Sequence, residues 1–138
     1  MAIIMGSTQP IHAADIMPDL REQYHPDCIV CGPNCPHGMK IRLALDDHGV
    51  AVGNLDCDPR YEGYSGIMHG GIISALLDGA MTNCLFLHGR DAVTAQLVIN
   101  FRHPVRLNVP AQVRACVDHR GESSGVPIAG PAYAEWCG

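Results

Sequence analysis

Basic residues are few: nine Lys and Arg stand against fourteen Asp and Glu, for a formal charge of −5. A general nucleic-acid binder needs a basic face, so no nucleic-acid partner is expected. Residues 1–14 have neither a basic start nor a continuous apolar run, which makes the opening a poor signal peptide. Long apolar runs are also lacking. The most apolar stretch, Ile72–Leu87, is interrupted by Asp78, Thr82 and Asn83 and reads as too short to span a bilayer, so no membrane partner is expected. No Gly-x-Ser-x-Gly elbow occurs, and a serine hydrolase triad therefore has little support. With 138 residues there is room for one core and not for two.

What is present suits a folded domain, with 47% apolar and 17% charged residues. The charge is uneven. Residues 1–88 carry ten acids and four bases, whereas 89–120 carry Arg90, Arg102, Arg106, Arg114 and Arg120 against Asp91 and Asp118. A local arginine excess in an acidic chain suits a phosphate-bearing small ligand, or equally a solvated sheet face. Seven cysteines, without an export signal, read as reduced thiols in a cytoplasmic protein. Cys28, Cys31, Cys35 and His37 are the right kinds of ligand for zinc, but all four fall within ten residues, more crowded than two separated pairs. They are read as thiols without a metal, and Cys57, Cys84, Cys116 and Cys137 as small apolar fillers. No cofactor is expected.

Residues 1–27 form a leader with a weak helical signal around Asp15–Gln23, and the domain is expected over 28–138. Met39, Ile41, Leu43 and Leu45 alternate with polar neighbours, as in a half-buried strand. Asp47-His48-Gly49 makes a turn into a returning strand, Val50–Asp56. Gly70–Leu87 has apolar residues on every face and reads as a buried helix that stops at Gly89. Val93–Phe101 and Val109–Val117 alternate as two further antiparallel strands. This order predicts an α+β fold, an antiparallel β-sheet wrapped around one central α-helix. Beyond Arg120, glycines and prolines break the period. At most a short edge strand near Ala132–Trp136 is expected there.

Asp78 is the one charged residue of the helical segment. A lone carboxylate on a buried helix is costly unless paired or put to use, and desolvation would strengthen it as a base. The bland alternative is an aspartate that reaches solvent or pairs with an arginine. His69-Gly70-Gly71 sits at the start of the same helix, where uncovered amide N–H groups at the positive end of the dipole suit a developing oxyanion. Eight residues separate Gly70 from Asp78, roughly 12 Å along a helix axis. One reacting carbon cannot sit beside both within one chain. Two antiparallel helices of a symmetric dimer can bring Gly70 of one subunit to Asp78 of the other. Thr82, one turn on, is placed to orient the carboxylate or a water.

The stretch from Gly63 through His69-Gly70-Gly71 to Asp78 resembles the signature of PaaI-type hotdog-fold acyl-CoA thioesterases. The likeness continues through Ala92–Ala95 and Asn100–Val105, and upstream through Cys28-Ile29-Val30-Cys31-Gly32 with Asn34 and Gly38. The resemblance implies a hotdog fold and hydrolysis of an acyl-coenzyme A thioester by a homodimer or a dimer of dimers. It also implies an active site that crosses the dimer interface. It places the catalytic acid at Asp78, the carbonyl-polarising amide at Gly70 and supporting hydroxyls at Thr82 and Thr94. His69, Gly71, Gly63 and Arg102 complete the expected substrate-binding set. Many members have Asn or Gln six residues before the histidine, where this chain has Gly63. That departure, with the altered tail, keeps open a non-catalytic acyl-CoA or small-ligand binding protein on the same fold.

Overall fold

The computed structural model describes residues 3–5, 19–117 and 132–137. Its elements are β1 (Ile3–Met5), α1 (Asp19–Tyr24), β2 (Leu43–Leu45), β3 (Ala51–Asp56), α2 (Gly70–Leu87), β4 (Ala92–Thr94), β5 (Pro110–Val117) and β6 (Ala132–Cys137). A 3₁₀ turn, Pro59–Tyr61, precedes α2. Four strands form an antiparallel sheet in the order β2-β3-β5-β6, and β1 pairs separately with β4. The sheet packs on the long helix, so the α+β arrangement predicted from the element order, and implied by the resemblance to be a hotdog fold, is the one observed.

α2 forms where the sequence predicts it. His69 caps its start in an extended conformation, with Nδ1 accepting from the Gly71 N–H at 2.9 Å. Its end is set by Gly89 at φ 70°, the left-handed conformation that closes helices at little cost in glycine. Leu76, Leu85 and Val113 are fully buried between helix and sheet, and Cys84 donates to the Ala115 carbonyl at 3.3 Å. Along β5 the buried residues are Ala111, Val113 and Ala115, the two-residue period of a strand with one face on the core. At 18 residues with mean hydropathy 1.4, α2 is in fact long and apolar enough to cross a membrane. Its length therefore excludes nothing. Two thirds of it lies buried inside this fold, which accounts for the hydropathy.

The hairpin is tighter than its alternation suggests. Lys40 adopts φ 52°, a left-handed kink, so the ladder opens only at Leu43. Residues 39 and 41 instead hydrogen-bond the cysteine loop, through Met39 N–H to the Ile29 carbonyl and Ile41 N–H to that of Val30. The turn is built on Asp46, whose Oδ1 accepts from the N–H groups of His48 and Val50 at 2.9 and 3.0 Å.

The largest departure from the sequence pattern is the run expected as a strand over Val93–Phe101. Only Ala92–Thr94 are laddered, and residues 95–101 make no backbone hydrogen bond among the described residues. Val98 and Phe101 are 65% and 59% exposed. The alternation is genuine, but a strand also needs a neighbour, and no described residue supplies one. At the other end, β6 pairs with β5 over six residues, from Gln112↔Cys137 to Val117↔Ala132. β6 is thus the short edge strand that the sequence allows near Ala132–Trp136, and residues 118–131 lie outside the described residues. Within the stretch read as a leader, the helix is Asp19–Tyr24, and Leu20 and Tyr24 pack on Phe86 at the end of α2.

Candidate active site

Asp78 lies halfway along α2, half-buried, one residue before Gly79. The hydroxyl of Thr94, at the end of β4, donates to its Oδ1 at 2.6 Å. This is a short charge-assisted bond that fixes one carboxylate oxygen. Oδ2 has no hydrogen-bond partner among the described residues. Asp78 and Thr94 are thus brought together, sixteen residues apart in sequence.

Thr82 is differently engaged. Its hydroxyl donates to the main-chain carbonyl of Asp78 at 3.1 Å, the back-bond to the preceding turn common for threonine in helices. It braces the helix at Asp78 and does not touch the carboxylate. Gly70 opens α2 and is exposed, and its N–H meets no acceptor among the described residues. That amide is therefore available at the positive end of the helix. The Phe101 ring lies beside it, 3.6 Å from where a Cβ on Gly70 would sit. The Gly71 amide is already used by the imidazole of His69. Through Nδ1, His69 therefore shapes the helix start.

Gly63 packs directly on that histidine. A Cβ there would lie 2.9 Å from His69 Cα and 3.2 Å from its Cβ, so a side chain has no room at this position. Its N–H donates to the Ile67 carbonyl at 2.9 Å. Arg102 is exposed, next to Phe101 and just beyond the run 95–101. A groove of about 610 Å³ lies elsewhere, lined by Lys40, Asn54, Asp58, Arg60 and Asn108, among others. None of the expected site residues lines it.

Sequence reasoning missed His25. Its imidazole stands edge-on to Phe86, 5.0 Å between centroids. Burial lowers its pKa below the ordinary value, and the Asp78 carboxylate partly offsets this. His25 sits at the mouth of the cysteine loop, where Cys31 is fully buried. Burial pushes the thiols of Cys31 and Cys84 up to about 11, so both are inert fillers of the core in their free form.

Residues 65–126 match the thioesterase superfamily. No curated protein sequence matches the chain. Among solved structures, a protein of the thioesterase superfamily aligns at TM-score 0.64 and 20% identity over 78% of this chain, which spans 60% of that protein's length. PaaI from the phenylacetic acid degradation operon of E. coli aligns at TM-score 0.55 and 22% identity, covering 72% of this chain and 78% of PaaI. A Streptococcus mutans protein solved bound to acetyl CoA aligns at TM-score 0.54 and 21% identity, covering 70% and 84%. Residues 65–126, somewhat under half of the chain, are thus similar to the thioesterase superfamily, and the fold is one the chain shares with PaaI among its structural neighbours.

Proposed function

We propose that this chain hydrolyses acyl-coenzyme A thioesters, with Asp78 of one subunit and the Gly70 amide of another acting on the same carbonyl. The observation that carries the reading is the Asp78–Thr94 pair. The sole charge of an apolar helix is held by one oxygen at 2.6 Å, and its other oxygen is left to take a proton. In the reaction, Asp78 removes a proton from water as the oxygen attacks the thioester carbon. The Gly70 N–H receives the oxyanion, and the tetrahedral intermediate collapses with loss of the coenzyme A thiolate, which takes up a proton. Attack by the carboxylate itself is the covalent variant of the same chemistry. Thr82 acts through the helix backbone, and His69 through the cap that orients the Gly70 amide.

Two features support a shared site. The Gly70–Asp78 separation of roughly 12 Å in one chain is too long for one carbonyl. The run 95–101, without a backbone partner among the described residues and with Val98 and Phe101 exposed, offers an edge on which a second copy can add. A structural neighbour bound to acetyl CoA supports an acyl-CoA ligand, and exposed Arg102, just beyond that run, is the residue we assign to its phosphates. The cytoplasm, where acyl-CoA is made and used, is the proposed compartment.

A panel of acyl-CoA thioesters assayed by released thiol, wild type beside Asp78→Asn, tests the chemistry. Sedimentation at the assay concentration tests the assembly. A monomer that still hydrolyses thioesters would sink the shared site. One observation favours a second reading, a non-catalytic acyl-CoA binding protein. The Gly63–His69 contact leaves no room for the assisting amide that related sequences carry. Tight acyl-CoA binding without thiol release across the whole panel would establish that reading instead.

A further inference from the structure

Between α1 and β2 the chain winds through consecutive tight turns. His25 N–H donates to the Arg21 carbonyl at 2.8 Å, Cys28 N–H to that of His25 at 3.3 Å, and Gly32 N–H to that of Cys28 at 2.8 Å. The spacing His25-x-x-Cys28-x-x-Cys31 places one such residue on each turn, and the winding brings all three to one side. The turn at Gly32 admits no other residue, since a Cβ there would lie 2.3 Å from Cys28 N and 2.7 Å from the Cys28 and Pro26 carbonyl oxygens. The loop is also fixed from outside. Val30 packs against Gly79 of α2, and Met39 and Ile41 hydrogen-bond its main chain.

The result is a preformed ligand set. Sγ of Cys31 lies 3.7 Å from Nδ1 of His25, and the ligand atoms of His25, Cys28 and Cys31 all fall within 4.8 Å of one another. In a tetrahedral zinc site, with Zn–S near 2.3 Å and Zn–N near 2.0 Å, ligand atoms stand about 3.4–3.8 Å apart. The Cys31–His25 pair already has that spacing, and the widest pair needs to close by about 1 Å, within reach of a side-chain adjustment at half-buried Cys28. Cys35 and His37, the other metal-binding types in the loop, fall outside the group.

We propose that His25, Cys28 and Cys31 bind one thiophilic divalent cation of the zinc class, with water in the fourth position. On binding, the two thiols release their protons to solvent, and the imidazole donates its neutral Nδ1 lone pair. Two thiolates balance the charge of the cation, so the loop stays electrically neutral where Cys31 is buried. The inference does not depend on thioester hydrolysis, because none of the three residues is assigned a part in it.

The test is a titration of the reduced, metal-free full-length chain with cobalt(II), followed by absorption. One equivalent should bind, with visible bands of tetrahedral cobalt and thiolate-to-cobalt charge transfer of the intensity of two thiolates, and zinc should displace it. Cys28→Ser and Cys31→Ser should each cut the charge-transfer band by half or more, whereas Cys35→Ser should leave it unchanged. Where a variant misfolds by circular dichroism, the wild-type intensity still counts the thiolates. An absent band, an octahedral spectrum without charge transfer, or loss of the band in Cys35→Ser would overturn the proposal. So would finding that Cys28 and Cys31 close into a disulfide in preference to binding cobalt under mild reductant.

Discussion

The Thr94 hydroxyl reaches Oδ1 of Asp78 across 2.6 Å and ties the middle of the central helix to the strand beyond it. Asp78→Asn removes the base and keeps the shape. It should lower turnover by about 10²–10⁴-fold, the usual worth of a positioned general base. Thr94→Val leaves the carboxylate in place but frees it to rotate. A hydrogen bond to a charged group is worth about 1.5–3 kcal/mol, so turnover should fall by about tenfold or more. Thr82→Val should cost least. Steady-state thiol release by the three variants, with melting temperatures alongside, checks the order. Wild-type turnover in Asp78→Asn would remove the acid from the mechanism.

Gly79 should resist the substitution that helix propensity recommends. Alanine is favoured over glycine in helix interiors by about 1 kcal/mol. Here the added Cβ would lie 2.6 Å from a methyl of buried Val30. Overpacking of this kind costs about 1–3 kcal/mol, so Gly79→Ala should be destabilised on balance. Denaturant melts decide the sign, and the double variant Gly79→Ala with Val30→Ala should recover part of the loss.

Gly63→Asn would install the residue that the family resemblance implies here, yet it should not improve catalysis. The new side chain collides with His69 at 2.9 Å and should loosen the cap over Gly71. Loss of an N-cap costs about 1 kcal/mol. Lower melting temperature without a gain in turnover is the expected result. A more active and equally stable Gly63→Asn would show that the loop accommodates it.

Acid should act through Asp46. The N–H groups of Val50 and His48, with Arg114 at 3.2 Å, hold its carboxyl below the ordinary value of 3.8. A carboxyl with its folded pKa below its unfolded one lends stability above the unfolded value, and loses it as pH falls through the folded one. Asp46→Asn keeps the acceptor oxygen of the turn and removes the charge. Its melting temperature should therefore fall less steeply than the wild type's between neutral pH and about pH 3. Parallel slopes in the two proteins would assign the acid sensitivity to other groups.

The helix, its stop at Gly89 and the inward face of β5 were legible because each follows from a local period or a single residue type. Asp78 was legible as the one charge on that helix. Its partnership with Thr94 was not derivable from spacing, since sixteen residues of helix and loop intervene; only the family likeness named Thr94. The Thr82 hydroxyl meets the Asp78 main chain and not its carboxylate for a local reason. A helical threonine hydroxyl finds the carbonyl one turn back before it finds the neighbouring side chain. His25 went unnoticed because the leader was read apart from the domain, although the even His-x-x-Cys-x-x-Cys spacing was there to see. The short β4 shows the limit of alternation, which reports a two-sided surface and not the presence of a neighbour.

The open run 95–101 also bears on how the protein comes into being. Before the proposed dimer forms, a single copy presents residues 95–101, which have no main-chain partner among the described residues, with Val98 and Phe101 exposed beside them. Such an edge is indiscriminate about what pairs with it. Under the proposed assembly, whether a second copy or a stray strand closes it first is a race, and the rate of the correct outcome rises with the number of finished copies nearby. Yield in folded form should therefore depend on how quickly, and how densely, the chain is made.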